Sequence, residues 1–326
     1  MPLEVQRSTP ATPRAGASDA VSALHVTCWG TRGSIPAPGP ATTGFGGNTS
    51  CLEVRTPDGH QLIFDAGTGI RALGRRLVEG PDPAHADLFL THFHWDHIQG
   101  VPFFAPLYDA RTTLRIHGAA QNGVDIRTLF AAQMMPTYFP VPYDALAARI
   151  EFSHLDEQAW RRGGVEVAAV RTRHPGTTFG YRIRTRAGAV AYIPDNELVG
   201  ADYPVGENWR AELVDFLHGV EILFHDAMFT DDEYAAREGW GHSTFHQAIE
   251  LAEEAGVRRL LFFHHAPDRS DEELTAIVEA LRADLARRNA TLEIGAAAEG
   301  TTLELAATSE ETPVSPATGQ TDRGAS

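Results

Sequence analysis

Apolar and β-branched residues recur along the chain in short runs: HVTCW, CLEVRT, QLIFDAG, ADLFLTH, TTLRIHG and IEFSHL, then VEVAAVRTR, FGYRIRT, GAVAYIPD, EILFHDA and RRLLFFHH. Several alternate with a period of two or stop at glycine, proline or aspartate, which predicts β-strands. Two stretches carry the helical period instead. STFHQAIELAEEAG sets Phe245, Ala248, Leu251 and Ala252 on one stripe, with Ser243 as the expected N-cap and Gly256 as the stop. DEELTAIVEALRADLARR, from Asp271, is the second. Two strand-rich halves, each interrupted by helices and with no repeat period, predict an α/β chain. Residues 29–50 are too dense in glycine and proline for a regular element and predict a tightly turning loop. Residues 1–22 and 307–326, rich in Ser, Thr, Pro and Ala, read as disordered tails around a single body at 23–306.

Composition narrows the chemistry. The chain has 326 residues, enough to bury a core unaided, and its two cysteines, Cys28 and Cys51, exclude a disulfide scaffold or an all-thiolate zinc site. All 27 basic residues are arginine, so Schiff-base and P-loop lysine chemistry is excluded. With 43 acidic residues the formal charge is -16, which argues against extended nucleic acid or an anionic membrane as partner. The first apolar stretch, VSALHVTCW, is short and follows a polar segment, so no signal peptide is read there. No apolar run approaches the roughly 18 residues of a membrane span. A soluble, cytoplasmic protein is the expectation.

The chemical signal is THFHWDHIQG, directly after the strand-like ADLFL. It places His92, His94, Asp96 and His97 within six positions at a strand end. Residues two apart in an extended segment share a face, and imidazole with carboxylate suits zinc, manganese or iron. Further ligand types end other strands: His174 after VEVAAVRTR, Asp195 after GAVAYIP, and His264 and His265 after RRLLFF, where the residues alone leave both histidines open.

These motifs resemble the metallo-β-lactamase fold superfamily, and within it the branch holding tRNA 3′ processing endonucleases and small phosphodiesterases. The matching pieces are GGNTS, FDAGTG, THFHWDH, His174, Pro194-Asp195, FHDAMF, GHST and FFHH. The resemblance implies a four-layer αβ/βα sandwich with two divalent cations, Zn2+ or else Mn2+, at the edge between its sheets. It assigns His92, His94 and His174 to one cation, Asp96, His97 and His264 to the other, and Asp195 to both. It leaves His265 beside the ligand position. A water bridging two such cations loses its proton near neutral pH and attacks a phosphoryl group. The resemblance also gives Asp226 and His242 proton transfer to the leaving oxygen, with Asp96 counted beside them as catalytic; the branch more often has glutamate where this chain has Asp226.

Asp65, after QLIF, is expected to orient a ligand histidine or a turn, and Asn48 in GGNTS to do the same or simply to turn the chain. His225 reads as packed or supporting, and His246 as surface or pocket. Between Ile98 and Val170, the stretch holding Met134, Met135, Tyr138, Phe139 and Tyr143 could stack on a base, cover the site, pack beneath a loop or form a homodimer face. No basic insertion of the kind that grips tRNA is evident. The expected substrate is therefore a small or cyclic phosphodiester such as a cyclic nucleotide. The alternatives are a lactone, lactam or thioester, an oxygenase with one iron, or a non-catalytic metal-stabilised binding module.

Overall fold

The computed structural model describes residues 23–155 and 159–306; both segments read above as tails lie outside these. The first sheet runs in chain order through β1 (Ala23–Gly30), β2 (Cys51–Arg55), β3 (Gln61–Phe64), β4 (His85–Phe89), β5 (Thr113–Gly118) and β6 (Arg149–His154). The second holds β7 (Trp160–Arg162), β8 (Val165–Arg171), β9 (Phe179–Thr185), β10 (Gly188–Ile193), β11 (Ile222–Asp226), β12 (Arg259–Phe263) and β13 (Glu293–Ala296). The last strand, β14 (Thr302–Ala306), crosses back to pair antiparallel with β1. Helices α1 (Ile70–Glu79), α2 (Trp95–Ile98) and α3 (Ile126–Ala132) belong to the first half. The second half contains α4 (Trp209–Leu217), α5 (Asp231–Tyr234), α6 (Phe245–Glu254) and α7 (Asp271–Arg287).

Inward residues of the two sheets meet in one apolar layer, where Val54, Phe64 and Phe89 pack with Tyr181, Val190, Tyr192 and Phe224. Each such side chain contributes about 1.5–3 kcal/mol through burial. The outer face of the second sheet is covered by α4, α6 and α7 through Leu213, Leu251 and Val278, and that of the first by α1 and neighbouring turns through Leu73 and Phe104. The result is the expected αβ/βα sandwich. Of the sequence-predicted helices, the first begins one residue late. Its N-cap is Thr244, because Gln247 stands three residues on and closes a capping box, while Ser243 Oγ donates to the Asn196 carbonyl. α7 is capped by Ser270 and Glu273 in the same way.

β3 to β6 are parallel to one another, as are β10 to β13. Their carboxyl ends, where α/β sheets bind ligands, carry Asp65, His92, Asp195, Asp226 and His264. The glycine-rich loop is clasped across this edge by Arg32, which is fully buried and donates to the carbonyls of Gly46, Ala266 and Arg269. Gly67 lets two backbones close: a Cβ there would lie 2.3 Å from the Asp96 carbonyl oxygen. Gly67→Ala is expected to destabilise the protein by about 1–3 kcal/mol, measured by denaturant unfolding. Gly206→Ala, which meets open space, serves as the control and should unfold like the parent.

Candidate metal centre

Ligand atoms of His92, His94 and His174 lie within 4.8 Å of one another, and so do those of Asp96, His97 and His264. Asp195 stands between the two triads. One of its oxygens is 2.9 Å from His97 Nε2, and the other is 3.4 Å from His264 Nε2 and 3.7 Å from His174 Nε2. The seven side chains singled out from sequence are thus brought together, all but His94 buried. His265, adjacent to His264, turns away, its Nε2 2.8 Å from the Ala297 carbonyl.

What fixes each ring is the nitrogen facing away from the cluster. His97 Nδ1 is 2.7 Å from Asp65 Oδ2, and His174 Nδ1 is 2.9 Å from the Gly241 carbonyl, so both must donate there. Thr91 Oγ1 donates to Asp65 and is left to accept from His92 Nδ1 at 3.0 Å. When its inward nitrogen carries no proton, each of these three rings turns a lone pair inward. His92 Nε2, His97 Nε2 and Asp195 Oδ2 are buried with no hydrogen-bond partner among the described residues, although His97 Nε2 and Asp195 Oδ2 stand close together. Lone pairs and carboxylate oxygens facing one another at such distances require a cation between them, and five imidazoles with two carboxylates suit first-row divalent ions. The group is a dinuclear metal-binding site.

Its electrostatics agree. Burial lowers His92, and it lowers His174 to about 3, so both rings stay neutral and able to ligate. Burial resists charge on Asp96 and Asp195, but the surrounding imidazoles outweigh it and keep both carboxylates ionised. Two residues that end strands pay in backbone strain: Asp65 and His264 both have φ of 60°, which costs about 1–3 kcal/mol each.

Beside the triads, His242 Nδ1 is 2.8 Å from Asp226 Oδ2, and its ring stacks on His264 at 4.8 Å. Backbone N–H groups of Asn196 and Met228 also donate to Asp226. Burial opposes charge on His242, yet Asp226, with Asp195 and Asp96 behind it, lifts the ring to about 9. The pair holds one proton next to the cluster. His225 packs against Asn196 and the Asp226 carbonyl, and His246 lies on the surface paired with Asp231.

Asn48 departs from the expectation that it supports a ligand. Its Nδ2 and backbone N–H both donate to Glu299, and its carbonyl receives Thr31 and Arg32, so it fastens the glycine-rich loop. Sequence reasoning missed Thr91, Tyr192, whose hydroxyl donates to Asp65 at 3.0 Å, and Ser34, whose N–H reaches Asp96 Oδ2 at 2.7 Å. It also missed Glu197. This buried carboxylate accepts from Tyr203, Tyr234 and the N–H groups of Gly239 and Gly241, holding the turn that presents both the Gly241 carbonyl and His242. Gly241 has φ of 88°, and a Cβ on it would lie 2.2 Å from His174 Nδ1. An acid in the DNELVG turn was the only sign available in sequence.

Fold and site together define a metal-dependent hydrolase with a two-cation centre. The chain belongs to the beta-lactamase superfamily domain family, whose model matches residues 60–265. It is similar to the ribonuclease Z of Haloferax volcanii, 25% identical over 284 residues, 74% of this chain and 84% of that one. Among solved structures, the metallo-beta-lactamase fold protein YhfI from Bacillus subtilis superposes with a TM-score of 0.60 at 21% identity, over 86% of this chain and 99% of that one. Unliganded yeast PDE1 does so with a TM-score of 0.62 at 17% identity, over 86% and 99%. These likenesses agree with the family model in showing the metallo-beta-lactamase fold. No described helix is long and apolar enough to cross a membrane.

Asp65→Asn should weaken cation binding by about 10–100-fold, read as metal retained after dialysis against a chelator series. Burial disfavours charge on His97, but Asp195, Asp96 and Asp65 outweigh it and raise its pKa well above the ordinary imidazole range. A cation must displace the ring's proton, so loading should release protons and weaken as pH falls. Calorimetric titration in buffers of different ionisation enthalpy checks this, and proton-neutral loading between about pH 5 and 8 would contradict it.

Proposed function

We propose that this chain hydrolyses a small or cyclic phosphodiester such as a cyclic nucleotide. His92, His94 and His174 hold one cation; Asp96, His97 and His264 hold the other; Asp195 reaches both. Zn2+ is the resident ion, favoured by the nitrogen-rich ligand set, with Mn2+ as the alternative. When bound, the two cations supply a water nucleophile at neutral pH and compensate charge developing on phosphoryl oxygen.

The observation that carries the reading is the Asp226–His242 pair. Its 2.8 Å contact commits Nδ1 of His242 to Asp226 and leaves Nε2 as the donor for a departing alkoxide. Alkoxides are poor leaving groups, so a charged imidazole beside the metals is what diester cleavage needs. Asp226 orients the ring and sustains its charge, while Ser34 N–H and Asp65 keep Asp96 and His97 aimed at the centre. A chain of charge -16 with no lysine favours a small diester over a folded RNA.

The test is hydrolysis of bis(p-nitrophenyl) phosphate and a panel of cyclic nucleotides, with metal content measured on the same sample. Turnover should need zinc or manganese and collapse in His94→Ala. His242→Ala should keep its metal yet lose about 10²–10⁴-fold in kcat on alkyl diesters. Full activity in the stripped protein would refute the proposal.

A further inference from the structure

Next to the metal centre lies a cavity of about 550 Å³, lined by Ser34 and His242, by Phe229, Arg237 and Trp240, and by the acidic Asp268 and Glu273. Ser34 and His242 also belong to the site, through the contacts to Asp96 and Asp226. The cavity is therefore continuous with the place where the ester reacts. Trp240 is 60% exposed although it sits in a turn fixed on both sides, since the N–H groups of Gly239 and Gly241 are held by Glu197. An indole so held is a rigid flat face offered to solvent. Behind it, the Phe229 ring stands 6.5 Å from Trp240 at 76°, and the Arg237 guanidinium lies 5.3 Å from the centre of Phe229. Arg237 gives one N–H to the Glu233 carbonyl and makes no ion pair among the described residues. The Glu233 carboxylate is taken by Arg269.

We propose that this cavity is a nucleobase pocket, in which the base of a nucleotide diester stacks on Trp240 and turns its acceptor edge to Arg237. Neither alternative occupant uses both walls. An acyl chain would cover the indole and make no use of the other Arg237 N–H groups. A second phosphate would take Arg237 and leave the indole wet. A heteroaromatic base has a π-face for stacking and ring nitrogens or carbonyls for arginine. The volume lies within the range of small-ligand sites. This deepens the phosphodiester reading and rests on it for the identity of the reacting group, but base binding can be measured without turnover.

Two assays on the metal-loaded full chain separate the two. In the first, a cyclic nucleotide is compared with the same cyclic phosphate on a ribose that lacks the base, in wild type, Trp240→Ala, Trp240→Phe and Arg237→Gln. Wild type should prefer the base-bearing ester by about 5- to 150-fold, mostly through KM. The preference should shrink in Trp240→Ala and Arg237→Gln and survive largely in Trp240→Phe. In the second, calorimetry compares a nucleoside monophosphate with ribose phosphate. Tighter binding of the nucleotide, lost in Trp240→Ala, supports the pocket even if no diester is cleaved, an outcome that would remove the phosphodiesterase reading alone. Equal affinity for the two phosphates, or a preference unchanged in Trp240→Ala, overturns the pocket. A preference for long-chain thioesters in the same cavity would overturn it as well.

Discussion

His97, His92, His174 and His242 each have one nitrogen committed outward, to Asp65, Thr91, the Gly241 carbonyl and Asp226 in turn, and this leaves the other with nowhere to point but inward. Everything at the centre follows from that. The carboxylates of Asp96 and Asp195 are drawn among the same inward atoms, and the polar burial that results is costly unless positive charge fills the gap. The protein accepts left-handed backbone at Asp65 and His264 because both residues must leave their strands abruptly to join the convergence. Asp96 and Asp195, drawn in among the imidazoles, offset part of the charge that two divalent ions would bring. On the proposed reading, a chain of charge -16 can in this way receive an anionic ester, since the local ions govern the field at the reacting atom.

The parts of this arrangement that could be read from the chain are those written within a few residues. THFHWDH delivers four ligand-type side chains from one strand end, and the runs ending at His174, Asp195 and His264 show where further strands stop. Two sheets follow from the strand runs because alternation reports burial directly, as in β8, where every second residue from Val165 to Ala169 faces the core. What was illegible depends on partners far along the chain. Asn48 looked like a supporting residue of the centre, but its partner Glu299 is 251 positions away, and that pairing decides its orientation. Glu197 gave no local sign that two tyrosines and a glycine turn would gather round it. The cap of α6 moved from Ser243 to Thr244 for a nearer reason: the reciprocal glutamine is spaced from Thr244, and Ser243 is occupied with Asn196.

The turn at residues 239–244 joins functions that are usually distributed. Its Gly241 carbonyl sets the tautomer of His174, His242 carries the proton, and Thr244 starts a helix packed on the second sheet. Glu197 holds this turn from beneath with hydrogen bonds of 2.6 to 2.9 Å. Charge-assisted bonds to a buried carboxylate are strong and directional. The orientation of His174 and the placement of the Asp226–His242 pair therefore share one support, and a disturbance of that support reaches both.

The return of β14 to the edge of the first sheet means that β1 lacks one of its two neighbours until the whole second sheet has been made. The N-terminal half can collapse earlier, but it does so with an unpaired strand edge, the kind of surface that invites misassembly during vectorial synthesis. Completion of the first sheet waits on five residues that follow every strand of the second.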